Sequence, residues 1–149
     1  MFELVLLAVG QVMSLIATRQ LEDVRTGNSV VVSLNAPEQQ PDGVWECRYT
    51  ISELGLAPFN GRAFGEDGFQ AIALALEAIR IDLRDMGRKF SWLGGEPGIT
   101  GFSRVPYLFG SKLVEELEAH IDARVDQFSE EAAAGLHGPP FSDSVKTES

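Results

Sequence analysis

Val44-Trp45-Glu46-Cys47-Arg48-Tyr49-Thr50-Ile51-Ser52 places Trp45, Cys47, Tyr49 and Ile51 on one side of an extended chain and Glu46, Arg48, Thr50 and Ser52 on the other. A strict period of two is the pattern of a strand with one buried face, so at least one sheet covered on one side is predicted. The segment before it, Ala36 to Gly43, holds Pro37, Pro41 and Asp42-Gly43, which cannot continue a central strand, and it reads as a loop. Further upstream, two β-rich runs end at Val24 and resume at Ser29, with Arg25-Thr26-Gly27-Asn28 between them. Gly27 and Asn28 tolerate the positive φ of a tight turn, and Val30, Val31 and Val32 are stiff at χ1, so a β-hairpin is predicted.

Downstream, Glu53 to Gly65 is mixed: Pro58, Asn60-Gly61 and Gly65 favour a turn, and Arg62 to Phe64 a short strand. Glu66 or Asp67 then opens a helix to about Met86, with the acidic pair at the positive end of its dipole and Gly87 placed to end it. Gln70, Glu77, Arg80, Arg84 and Arg88 share one narrow stripe, while Phe69, Ile72, Ala73, Leu76, Ile79 and Leu83 cover much of the rest. That pattern predicts burial of most of the circumference. Lys89 to Leu93 suits a short strand, Gly94 to about Tyr107 a loop, and Leu113, Leu117, Ile121, Val125 and Phe128 mark an amphipathic helix from near Ser111 to about Ala134. The expected architecture is α+β: two layers, an antiparallel sheet of three to five strands packed by one central helix, plus the C-terminal amphipathic helix. The expected division is a single domain over 1–134 and a disordered acidic tail over 135–149, rich in Gly, Pro and Ser.

Composition supports a packed core, since 149 residues with 44% hydrophobic and 23% charged residues suffice for one domain. The single cysteine, Cys47, excludes an intrachain disulfide and a multi-cysteine metal site, which fits a reducing, cytoplasmic compartment. Phe2 to Ile16 is apolar but broken by Glu3, Gly10, Gln11 and Ser14, and falls short of the ~20 residues a bilayer demands. As a signal peptide it lacks a basic start and a clear small-x-small cleavage site. The net charge is −10, and residues 112–149 carry nine acidic and three basic residues, so the acid is concentrated late. Such a surface repels phosphate backbones, so no nucleic acid is expected as a partner, and the short apolar run gives no membrane partner; the acid suits a basic protein, against the competing reading of solubility alone. Oligomeric state is left open.

Two candidate sites follow. Trp92-Leu93-Gly94-Gly95-Glu96-Pro97-Gly98 is a loop whose glycines permit positive φ and close backbone approach. It lacks the Lys-Ser/Thr pair of a phosphate loop. Trp92, Gly94, Gly95, Glu96 and Arg104 are the ligand-binding candidates, with Arg62 and Tyr107 as further polar groups that could join Glu96; a structural brace is the competing reading. Glu115, Glu116, Glu118 and Asp122 are the partner-binding candidates, against a plain solvated helix face. Cys47 shares a face with Trp45, Tyr49 and Ile51 and reads as a buried structural thiol. His120 and His137 have no metal-ligand partner at helical spacing, so no metal, no cofactor and no catalytic residue is nominated.

Ile16-Ala17-Thr18-Arg19, the run Gln70-Ala71-Ile72-Ala73-Leu74-Ala75-Leu76-Glu77, and Trp92-Leu93-Gly94-Gly95-Glu96-Pro97-Gly98 with Phe102 together resemble a family of small bacterial domains of unknown function. The likeness spans roughly Ile16 to Pro106, and the Trp-Leu-Gly-Gly-Glu-Pro-Gly loop is its most specific part. It implies a bacterial cytosolic domain and supplies no catalytic residues. Two functions of different class are therefore expected. One is a protein-binding module, such as an immunity or antitoxin protein engaging a basic partner; the other is a small-ligand-binding protein or enzyme with a pocket around Gly94 to Gly101.

Overall fold

The predicted hairpin forms as β1 (Leu15–Asp23) and β2 (Ser29–Asn35), paired from Leu21↔Val30 to Ala17↔Leu34, with an irregularity between Leu15 and Ala17. The computed structural model describes residues 14–104 and 110–136, and the chain divides after Arg104 into two compact units. Of the two residues expected to allow the turn, Gly27 takes the left-handed conformation at φ +73°, while Asn28 does not. Asp23 completes the turn: fully buried, its Oδ1 accepts the N–H groups of Arg25 (2.9 Å) and Thr26 (3.3 Å).

The alternating stretch is β4 (Trp45–Glu53), which pairs with β2 along one edge, Val32↔Ile51 and Leu34↔Tyr49, and with β5 (Phe59–Gly65) along the other. Cys47, Tyr49 and Ile51 are buried, as the period of two requires. The sheet has six antiparallel strands. One of them, β3 (Glu38–Gln39), lies in the segment expected to be a loop. Pro37 interrupts the ladder, but the chain continues along the edge of β4 that β2 has just left, so Gln39 pairs with Trp45. β6 (Phe90–Trp92) closes the far edge against β1, with Leu21↔Trp92 and Asp23↔Phe90.

α1 (Gly68–Asp85) begins where predicted: Asp67 is its N-cap and accepts the Gln70 N–H at 2.8 Å, while the Gln70 side chain accepts the Glu66 N–H at 2.7 Å. Gly87, at φ +68°, ends it. The expectation that most of the helix is buried is not met. The buried stripe is Ala71, Ala75, Ile79 and Leu83, whereas Phe69 is 87% exposed and Leu74 and Leu76 keep 44% and 39% exposure. A helix lying on one sheet buries one stripe, here against β4 and β5. Covering Ile79 and Leu83 contributes about 1.5–3 kcal/mol each.

The approach is close because the residues at the contact are small. A Cβ on Gly65 of β5 would collide with the Ala71 backbone nitrogen and lie 2.9 Å from the Gln70 carbonyl carbon. Two positions earlier on the same face of β5, Gly61 leaves room for the Tyr49 ring, whose hydroxyl donates to the Asp82 carboxylate on α1.

α2 (Ser111–Ala133) forms the second unit at the predicted bounds, and Val114 is its one buried residue. No helix among the described residues is long and apolar enough to cross a membrane. The apolar N-terminal run up to residue 13, and the tail from residue 137, lie outside the described residues.

Gly65→Ala therefore forces the helix off the sheet. A loss of about 1–3 kcal/mol in chemical denaturation is expected, and an unchanged midpoint would refute the close-contact account.

Candidate functional site

The Gly-rich loop leaves β6 through a tight reversal. Gly95 donates its N–H to the Trp92 carbonyl at 2.9 Å across Leu93 (φ +53°) and Gly94 (φ +68°), the signs of a type I′ turn. Leu93 is an exposed non-glycine residue in left-handed backbone, a conformation that costs roughly 1–2 kcal/mol. Gly98 then returns its N–H to the Phe90 carbonyl at 2.8 Å, and the chain doubles back over β1.

Arg19, midway along β1, takes hold of the returning chain. Its guanidinium lies 4.2 Å from the centroid of Trp92 and 4.4 Å from that of Phe102, and Nη1 donates to the Thr100 carbonyl at 3.2 Å. Two such cation–π contacts are worth about 0.5–2 kcal/mol each, depending on desolvation. Gly101 makes the stack possible. It sits at φ +74°, and a Cβ there would be 2.6 Å from the Trp92 ring and 2.7 Å from Arg19 Nη1. Burial pulls the Arg19 guanidinium below its ordinary pKa.

A second tie fastens the end of the loop to the helix. Arg104 Nε lies 3.1 Å from both Glu77 carboxylate oxygens, and Arg80 forks onto the same carboxylate at 3.1 and 2.8 Å. Arg80 first and Arg104 second hold Glu77 at a pKa of about 2 against the opposing effect of burial. A third cluster binds the hairpin turn to the segment after α1: Arg88 donates to Asp23 (2.9 Å) and Glu53 (2.8 Å), and Asn28 also donates to Glu53 (3.0 Å). For Asp23, burial pushes the pKa up, but the Arg25 and Thr26 N–H groups and Arg88 together outweigh it and the net shift is downward. Glu53 is lowered chiefly by Arg88 and Asn28.

Between the helix and the hairpin there remains a cleft of about 120 Å³, lined by Ala17, Arg19, Val32, Leu34, Leu76 and Phe102, among others. Of the ligand-binding candidates, Trp92 stands beside it through the Arg19 stack. Gly94, Gly95 and Glu96 are exposed, and the Glu96 carboxylate meets no donor among the described residues. Arg104 is engaged with Glu77 rather than with Glu96. Arg62 lies on β5, within 4.0 Å of Glu46 and over the Phe64 ring at 5.5 Å. Four strand spacings, about 19 Å, separate β5 from β6. Tyr107 lies outside the described residues. Arg19, Thr100 and Phe102 were not singled out as site residues. The signal available for them was that Arg19 falls on the apolar face of a strand, in phase with Leu21.

Of the acidic candidates, Glu115 and Glu116 are exposed and Glu118 and Asp122 are half-buried. Helical spacing groups Glu115 and Glu116 with the exposed Asp126 and Glu130. Leu113, Leu117, Val125 and Phe128 of the apolar stripe keep 39–51% exposure. Cys47 is buried, its Sγ directed to the Asn35 carbonyl at 3.4 Å, and burial raises its pKa. His120 is exposed on α2, and His137 lies outside the described residues. Among the described residues no group of three His, Cys, Asp or Glu side chains is placed to hold a metal ion.

Residues 17–104 match the family described as a domain of unknown function, DUF6968. The chain belongs to this family. No match is found among curated proteins or among solved structures. The DUF6968 segment begins on β1 beside Arg19 and ends at Arg104, so it holds nearly all of the sheet, α1, the returning loop and its fastenings, and α2 lies beyond it.

Gly101→Ala is expected to cost roughly 1–2 kcal/mol from its backbone alone and to reduce the near-ultraviolet circular dichroism of the stacked Trp92. Retention of both stability and signal would dismiss the stack as a fastening. Acid supplies a second check. Glu77, Asp23 and Glu53 all have lowered folded-state values, so their stabilisation is complete above the ordinary carboxylate range and lost as pH falls. For Glu77 the window runs from 4.5 down to about 2. Glu77→Gln should flatten that part of the stability–pH curve, and a curve parallel to the parent's would rule the tie out.

Proposed function

We propose that this chain is a protein-binding module rather than an enzyme, acting in the bacterial cytoplasm in the manner of an immunity or antitoxin protein and engaging a basic partner through α2. The observation that carries this reading is the surface of α2. Its 23 residues hold seven acidic and two basic side chains, and its apolar stripe keeps Leu113, Leu117, Val125 and Phe128 substantially exposed. Apolar anchors flanked by one sign of charge suit a partner that buries the former and neutralises the latter. Because α2 lies outside the DUF6968 segment, the choice of partner is assigned to a part of the chain that the family does not define.

The alternative, a ligand pocket or active site around Gly94 to Gly101, draws support from the cleft beside Phe102. It draws none from Glu96, which stands in solvent without a second polar group.

Affinity capture of the tagged full chain from its source lysate, at low and moderate salt, tests the proposal. A basic protein at near-stoichiometric yield, lost as salt rises, is expected. Combined Glu115→Lys, Glu116→Lys and Asp126→Lys should weaken binding about tenfold or more, while Glu96→Gln leaves it intact. Capture insensitive to these reversals, or the bare protein alone, would overturn it.

A further inference from the structure

We propose that the cleft beside Arg19 binds a small organic monocarboxylate carrying a branched-aliphatic or phenyl-sized group, whose carboxylate pairs edge-on with the Arg19 guanidinium. This site is separate from α2 and stands whether or not α2 engages a protein.

The argument begins with charge. In a chain of 22 acidic and 12 basic residues, the partly buried arginines of the first unit find carboxylates: Arg80 and Arg104 at Glu77, and Arg88 at Asp23 and Glu53. Arg19 does not. Among the described residues it has two aromatic rings and one backbone carbonyl, and no carboxylate. A partly desolvated cation without a counter-ion is costly, and an anionic ligand is the group that relieves that cost.

The rings also leave Arg19 its hydrogen-bonding capacity. Its Cζ stands over the Trp92 ring at 4.2 Å and over the Phe102 ring at 4.4 Å, contacts that engage the cation but none of its hydrogen-bond donors. Its five N–H donors lie in the guanidinium plane, and one is given to Thr100. A planar carboxylate fits the edge of that plane through two parallel hydrogen bonds. A single guanidinium neutralises a single charge, which favours a monocarboxylate over a phosphate ester.

The cleft defines the other end of the ligand. Its wall is mainly apolar, from Ala17, Val32, Leu34, Leu76, Ile79 and Phe102, with Thr18 the one polar residue beside Arg19. Its volume of about 120 Å³ approaches the roughly 150 Å³ of an apolar cavity that accepts benzene. Phe102 belongs to both parts, standing 4.4 Å from Arg19 and lining the cleft, so charge recognition and apolar recognition adjoin.

The test is titration of the full chain with phenylacetate and isovalerate, followed by isothermal calorimetry and thermal shift, with phenylacetamide and inorganic phosphate as comparison probes. Expected are saturable binding of at least one acid, a raised melting temperature, and binding at least tenfold weaker for phenylacetamide and for phosphate. Leu76→Trp fills the cleft from a partly exposed helix position outside the buried stripe and leaves Arg19 in place; it should keep the fold and lose the acids. Arg19→Lys keeps the charge without the fork and should weaken them at least tenfold. Silence of both acids, equal binding of phenylacetamide or phosphate, or full binding by folded Leu76→Trp would each overturn the assignment.

Discussion

The close seating of α1 on β5 is the constraint from which the rest of the DUF6968 segment follows. Gly65 allows the Ala71 backbone to approach, Ala75 continues the small-residue contact, and Ile79 and Leu83 then fill the core above β4. Held against that side of the sheet, the helix leaves the β1 side to be covered by something else. The chain supplies the returning loop after β6, which is why a segment dense in glycine is packed against a strand instead of standing free.

Covering a sheet with a loop is harder than covering it with a helix, because a loop brings few apolar side chains and many backbone polar groups. The fold answers with fastenings of different chemistry at successive points: the Gly98 to Phe90 hydrogen bond, the Arg19 stack between Trp92 and Phe102, and the Arg104–Glu77 pair. Glu77 therefore stands on the helix stripe for a reason beyond solubility. Its carboxylate is shared between a neighbour on its own helix and the end of the loop.

Much of the fold was legible because its signals are local. The alternation through Trp45 to Ile51, the Gly27 turn, the Asp67 cap and Gly87 each declare themselves within a few residues. What was illegible depended on which face met what. Phe69 and Leu76 look like core residues by composition, yet only the three-dimensional arrangement shows that Phe69 stays 87% exposed and Leu76 39%. The loop's surroundings were hidden for a related reason: Glu96 stands out in sequence as the loop's lone carboxylate, while Arg19, which holds the returning chain, lies 77 positions earlier on a strand. Pairings such as Arg19 with Thr100, 81 residues apart, leave no trace in spacing.

The buried Asp23 carries a consequence for how the chain acquires its structure. The β1–β2 hairpin is a local motif, but the guanidinium that compensates its buried carboxylate belongs to Arg88, 65 residues later, and the second neighbour of β1 is β6, at Phe90–Trp92. During synthesis the hairpin thus emerges before its counter-ion and before its edge is capped. Closing so long a segment is an entropically slow, non-local step. Until it happens, the Leu21–Asp23 end of β1 presents unpaired ladder to other chains. A nascent or truncated polypeptide ending before Phe90 is therefore a more aggregation-exposed form of this protein, and pairing with β6 shields that end of the strand.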